Sequence, residues 1–356
     1  MKNKILIGLG IGFISLLAIA ALFIASLFLY KNEVVKEDLL SGIGKPGDKW
    51  QIDAPMGQFE SVEFIKGEPA SGLRSAKNAH IKNIALAKDK STIYNVDYFY
   101  DSFGKRIVVN EKKEPATPPE KFALFFGCSD LLGVGLNSVD TIPALFESRT
   151  DEYKAYNFGF VGTGVHYVNR MFEGEDITPE VSEKSGIIVY VITEGHYPKT
   201  LGRLGPIIRP VMPFYKLENG EPKFQGALKD VQPLLSQIKK NLATTWLSVS
   251  VGGALITREM KYSDEEHELV CKLLKAAQVN SKKRFPQSRF IAFIHTMMPD
   301  GDRGQLQACA EKNEIEYVNF LVPWDDRFDS DPVYFHPTRF VNDLATNELI
   351  KYLRVK

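Results

Sequence analysis

The sequence predicts an α/β protein whose parallel sheet is covered by helices on both faces. A small β-rich region and one N-terminal transmembrane helix precede it. Three observations predict this. From residue 121 onward short apolar runs alternate with amphipathic segments, the pattern of strands buried on both faces and joined by helices. Residues 31–120 lack a long helical periodicity and are rich in β-branched and aromatic side chains. From Ile5 to Tyr30 no charged side chain appears.

The charge-free segment comes first. As a helix it rises about 39 Å, enough for a hydrocarbon layer of about 30 Å with some tilt. A cleaved signal peptide would carry a shorter apolar region ending at small residues followed by polar chain. Here Ala18, Ala20, Ala21 and Ala25 are followed by more apolar chain, so an uncleaved anchor is expected over residues 5–30. Lys2 and Lys4 precede it and "KNEVVKED" follows with mixed signs, which keeps residues 1–4 cytoplasmic and exports the rest. The expected location is the cytoplasmic (inner) membrane, single-pass, with the main domain extracytoplasmic (periplasmic).

Residues 31–120 read as an accessory β-rich linker region. "FESVEFIKG" and "STIYNVDYFYDSFGKRIVV" have strand composition, with "DSFGK" as a turn between two strands. "NEKKEPATPPEK" is charged and proline-rich, a boundary. Residues 121–356 form the main domain. Strands are expected at "KFALFFG", "YKAYNFGF", "GIIVYVITEG", "RFIAFIHT" and "IEYVNFLV", and helices at "VDTIPALFES", "TGVHYVNRMF", "SDEEHELVCKLLKAAQ", "GDRGQLQACAEKN" and "TRFVNDLATNELIKYL". Ser263 and Glu266 stand at capping-box spacing. An insertion at 197–263 carries a hairpin signal at Asn219–Gly220. Its aromatics, Tyr197, Phe214, Tyr215 and Trp246, either roof a cleft or pack against the sheet.

Composition excludes some partners. The 44 basic residues balance 44 acidic ones, so no nucleic-acid partner is expected. Cys128, Cys271 and Cys309 lie far apart without CxxC spacing, and they read as three buried thiols rather than a zinc knuckle or a disulfide framework.

In open parallel sheets functional groups gather beyond the carboxyl ends of the strands. Those ends carry Gly127-Cys128-Ser129-Asp130, Asn157 to Gly162, Thr193-Glu194-Gly195-His196, and His295, and beyond the last strand lie Asp329, Asp331 and His336. A serine, glycines able to donate backbone N–H groups, histidines and carboxylates on one rim are the parts of nucleophilic acyl transfer. Glu194 and His196 lack a third ligand at strand or helix spacing, so no metal and no cofactor are expected. His295 reads as a satisfied rim histidine, and His166 and His267 as helix-face residues, packed or solvated.

The order and spacing of "FFGCSDLLGVGLNSVDTIPALFE", "NFGFVGTG" and "FHPTRFVNDLATNEL" resemble the SGNH (GDSL-type) hydrolase family across roughly 121–356. The resemblance implies a three-layer α/β/α sandwich with a flavodoxin-like sheet. It implies Ser129 as nucleophile, His336 as base, and the backbone N–H groups of Ser129 and Gly162 as oxyanion donors. The family's aspartate before the serine is Cys128 here. Its acid three residues before the histidine is Val333, which leaves Asp331, or Asp329 on the same loop, as the group behind the imidazole. Its block-three asparagine is absent, and His196 takes that corner as third oxyanion donor. The implied activity is an exported, membrane-anchored serine esterase acting on an acyl ester, such as an acetyl ester, of a small molecule, lipid or glycan. The alternatives are an O-acyltransferase using an envelope glycan, or a catalytically degenerate binding or scaffolding subunit.

Overall fold

The computed structural model describes residues 51–52, 77–86, 92–110, 117–174, 177–193, 195–202, 212–231, 262–323, 325–328 and 336–355. The expected anchor at 5–30, and with it the tail at 1–4, lies outside the described residues. Among the described residues no helix is long and apolar enough to cross a membrane.

Among the described residues five strands form the central sheet: β4 (Lys121–Gly127), β5 (Tyr153–Gly159), β6 (Ser185–Ile192), β9 (Gln287–Ile294) and β10 (Glu316–Asn319). Every pairing is parallel and the order is β5-β4-β6-β9-β10. Counted along the chain this is 2-1-3-4-5, the flavodoxin-like order, whose switch point lies between β4 and β6. Alternation along β4 explains the two faces. Phe122, Leu124 and Phe126 join Ile188 and Tyr190 in one cluster, while Ala123 and Phe125 join Ile187 and Val189 in the other. Burial of each phenylalanine contributes about 2–3 kcal/mol.

Helices cover both faces. The first cluster is closed by α3 (Val165–Gly174), α6 (Asp264–Arg284) and α7 (Asp300–Lys312), the second by α2 (Ile142–Arg149) and α8 (Arg339–Val355). Helix α6 starts where its capping box places it, with Ser263 and Glu266 exchanging side-chain-to-backbone bonds. The remaining α-helices among the described residues are short: α1 (Ser129–Leu132), α4 (His196–Thr200) and α5 (Leu228–Val231). In the insertion, β7 (Pro213–Glu218) and β8 (Glu221–Ala227) form a hairpin, and Asn219 and Gly220 both take positive φ at its turn. Tyr197, Phe214 and Tyr215 are buried in the first cluster, so of the two roles open to them they take the packing one. Trp246 lies outside the described residues.

Upstream, β1 (Gln51–Ile52), β2 (His80–Leu86) and β3 (Thr92–Phe99) form an antiparallel sheet. The expected turn exists: Asp101 accepts from the backbone of Phe103 and Lys105. The expected strand after it does not. Among the described residues after the turn only Arg106 bridges, to Tyr100 and to Asn157 of β5, and its side chain is buried. The partner of β3 is β2 instead. "FESVEFIKG" lies outside the described residues.

The cysteines require a correction. Cys271 on α6 and Cys309 on α7 are disulfide-bonded, with Cα atoms 5.7 Å apart, and only Cys128 is a free, buried thiol. Two helices packed side by side bring together cysteines that sequence spacing leaves unrelated.

Candidate active site

The site grows from the end of β4. Gly127 closes the strand, and Cys128 and Ser129 turn into α1, whose end is Gly133 in the left-handed region. The turn packs against β5 closely enough that a Cβ at Gly159 would lie 2.4 Å from the Leu132 backbone nitrogen. Only glycine admits that approach. Ser129 itself is 9% exposed.

Arg106 secures the loop behind the serine. Its guanidinium donates to the carbonyls of Leu132 (2.6 Å), Gly133 (2.7 Å) and Leu136 (2.5 Å), and it lies over the Tyr98 ring. Tyr98 in turn accepts from the Gly135 backbone N–H at 2.8 Å. The accessory β-region is therefore built into the site's support. Burial lowers the Arg106 pKa, and the neighbouring tyrosines and Asp140 oppose the shift.

Gly162 sits in the turn after β5 at φ +79°. The neighbouring Thr163 hydroxyl donates to the carbonyl of Gly127 at 2.8 Å, and the Phe160 N–H donates to the same carbonyl at 3.2 Å. This ties the Gly162 turn to the Ser129 corner.

His336 arrives from the other end of the chain. The start of α8 docks on the loop behind Ser129: Asn342 donates to the Asp140 carbonyl at 3.1 Å, and Arg339 pairs with the Asp140 carboxylate at 2.8 Å. His336 Nε2 then lies 3.9 Å from Oδ1 of Asp130, the residue after Ser129. Burial lowers the His336 pKa, with Asp130 opposing and Lys199 adding to the shift, which favours the neutral imidazole. Asp331 and Asp329, the expected acids, lie outside the described residues.

The described carboxylate at this corner is Asp130. It accepts from the Thr193 hydroxyl at 2.5 Å and from the Cys128 thiol at 3.2 Å. Burial pushes its carboxyl upward. His336, Lys199 and these two donors outweigh that and hold it below the ordinary value. Cys128 is the opposite case: burial, reinforced by Asp130, raises its pKa, so it stays a thiol and a poor nucleophile. The Ser129 hydroxyl donates to Cys128 Sγ at 3.8 Å.

His196 opens α4 beyond β6. Its Nδ1 is 2.6 Å from the Tyr190 hydroxyl, while its Nε2 is buried with no hydrogen-bond partner among the described residues. Burial and then Lys199 push its pKa down to about 3. His295 meets its expectation in part: the Met297 backbone N–H donates to its Nδ1 at 3.4 Å, but the ring is fully buried and its Nε2 has no partner among the described residues. Burial pushes its pKa to about 4. His166 is buried against Tyr167, and neither ring nitrogen has a hydrogen-bond partner among the described residues. His267 lies 3.3 Å from the Tyr197 hydroxyl. Glu194 lies outside the described residues.

Sequence reasoning gave no role to Asp130, Thr193 or Lys199. The signal for Asp130 was its place beside Ser129 at a strand end. Thr193 and Lys199 enter only because the 2-1-3 strand order sets the end of β6 beside the end of β4. Two surface depressions of about 530 and 620 Å³ lie elsewhere, one lined by Gln278, Lys282 and Arg289 and one by Arg149, Asn347 and Arg354.

No family model matches the sequence, and no curated protein matches it. Solved structures show loose likenesses. A lipolytic protein of the G-D-S-L family from Veillonella parvula aligns at 14% identity over 66% of this chain and 98% of its own, with a TM-score of 0.38. A family two carbohydrate esterase from Clostridium thermocellum in complex with cellohexaose aligns at 9% identity over 79% and 87%, with a TM-score of 0.42. An acetyl xylan esterase from the rumen bacterium Butyrivibrio proteoclasticus aligns at 11% identity over 79% and 71%, with a TM-score of 0.40. These proteins are what the chain is similar to, and the alignments are too loose to transfer an activity to it.

Proposed function

We propose that the chain is a serine esterase that cleaves an acyl ester through an acyl-serine intermediate. The observation that carries this reading is the 3.9 Å approach of His336 to Asp130, which sets an imidazole from the end of the chain beside the serine corner of β4. A serine hydroxyl needs a neighbouring base near neutral pH. In this reading neutral His336 takes the Ser129 proton as the hydroxyl attacks the ester carbonyl. Asp130 lies where it favours the imidazolium so formed, and Asp331 remains the proposed acid behind the ring. Negative charge on the carbonyl oxygen meets the backbone N–H groups of Ser129 and Gly162. His196 would add a third donor through Nε2–H when Tyr190 donates to Nδ1. Collapse expels the alcohol, which receives its proton from His336. Water then releases the acid by the reverse sequence.

The reading places the domain outside the cytoplasmic membrane, held by the segment at 5–30. The Cys271–Cys309 disulfide supports that location, because such bonds persist in oxidising compartments. Ser129→Ala tests the chemistry. Turnover of a short-chain aryl ester should be lost while the unfolding midpoint is kept. Full turnover by the variant would refute the assignment.

A further inference from the structure

We infer that Cys128, Asp130 and His196 form a zinc site at the carboxyl end of the sheet. One ligand atom from each of the three lies within 4.8 Å of the others. Zinc bonds of about 2.0–2.3 Å in a tetrahedron set ligand atoms roughly 3.4–3.7 Å apart, so the group needs to close by only about 1 Å. Cys128 Sγ is already 3.2 Å from Asp130 Oδ2.

A second observation points the same way. His196 is 2% exposed, and its Nε2 has no partner among the described residues. Leaving a buried polar atom unpaired is costly. When Nδ1–H donates to the Tyr190 hydroxyl, 2.6 Å away, the lone pair sits on Nε2 and the ring is oriented as outer-shell partners orient zinc-bound histidines. That tautomer cannot donate to an oxyanion, so a zinc-bound chain would rely on the Ser129 and Gly162 N–H groups alone.

The donor set selects the ion. Thiolate, imidazole and carboxylate suit zinc, whereas magnesium and calcium prefer oxygen ligands alone. On binding, the Cys128 S–H bond breaks, its proton passes to water, and the sulfur's electron pair forms the S–Zn bond. Thiolate and carboxylate together cancel the ion's charge. The positive charge of Lys199 acts on both Asp130 and His196 and so opposes a cation there. The side chains of Asp130 and His336 at this corner are 14% and 11% exposed. The ligands that sequence spacing did not offer to His196 come from the neighbouring strand end. The proposal does not rest on Ser129 acting as nucleophile.

The test uses the full chain, purified and stripped with a chelator, then titrated with cobalt(II) and with zinc. Cys128 is the one cysteine outside the disulfide, so a thiolate-to-cobalt charge-transfer band reports on it alone. The expected result is that band at one equivalent, displaced by zinc. Cys128→Ala and His196→Ala should each weaken zinc by at least about 100-fold, and Tyr190→Phe by about 10–100-fold. Ser129→Ala should bind as the parent does, which separates this result from the esterase reading. A wild-type chain without the band overturns the proposal whatever the variants do. Undiminished zinc affinity in folded Cys128→Ala would overturn it too.

Discussion

Replacing both Cys271 and Cys309 by alanine removes the bridge between α6 and α7 without leaving a lone thiol. The cysteines are separated by 38 residues, a segment that contains the whole of β9. Closing a loop of that length lowers the entropy of the unfolded chain by about 13 cal/mol/K, or about 4 kcal/mol at 25 °C. Against a typical domain stability of about 5–15 kcal/mol that is a large share. With a urea slope of about 3 kcal/mol/M, the midpoint should fall by roughly 1.3 M. The assay is urea unfolding of the parent and the double variant, each with and without reductant. Reductant should bring the parent to the variant's midpoint and leave the variant unmoved. A parent indifferent to reductant, with a midpoint equal to the variant's, would refute the bridge and the compartment argument built on it.

Two further perturbations probe the support of the site. Arg106→Met should destabilise the chain by about 3 kcal/mol or more, because the carbonyls of Leu132, Gly133 and Leu136 lose their donor. Arg106→Lys should recover only part of this, since one ammonium cannot span the fork, and a urea midpoint equal to the parent's in either variant would contradict the role. The buried His166, whose pKa burial and then Lys199 push from 6.5 down to about 3, stays neutral when folded and gains a proton when unfolded. Its stability contribution is therefore full above its unfolded pKa and is lost as pH falls from 6.5 toward 3, by about 1.4 kcal/mol per pH unit. His166→Gln should flatten the pH dependence of urea stability in that window by this slope, and parallel curves would count against a buried neutral ring.

Much of the fold was legible because its signals are local. "KFALFFG" reads as a strand since both of its faces are buried, and Ser263 with Glu266 marks the start of α6 through a cap that needs no tertiary context. Asn219–Gly220 announced its hairpin for the same reason. What failed depends on assembly. After the turn at Asp101 the composition still favours a strand, but Arg106 is drawn inward to three carbonyls and the pairing stops at its two bridges, to Tyr100 and Asn157. The disulfide joins cysteines on separate helices, and nothing in their spacing foretells that α6 and α7 lie side by side. The site divides in the same way. Ser129, Gly162 and His336 stand in recognisable local patterns. The bond from Thr193 to Asp130 exists only once β4 and β6 are neighbours, the approach of His336 to Asp130 only once α8 docks behind Ser129, and the Nε2 of His196 lacks a partner only among the described residues.

The most direct test of the esterase account is covalent labelling with a fluorophosphonate, read by mass spectrometry of the digested chain. The account predicts one adduct, on the peptide carrying Ser129, absent in Ser129→Ala and formed at least about 100-fold more slowly in His336→Ala. A folded parent chain that takes no label, or takes it on a residue other than Ser129, would contradict it.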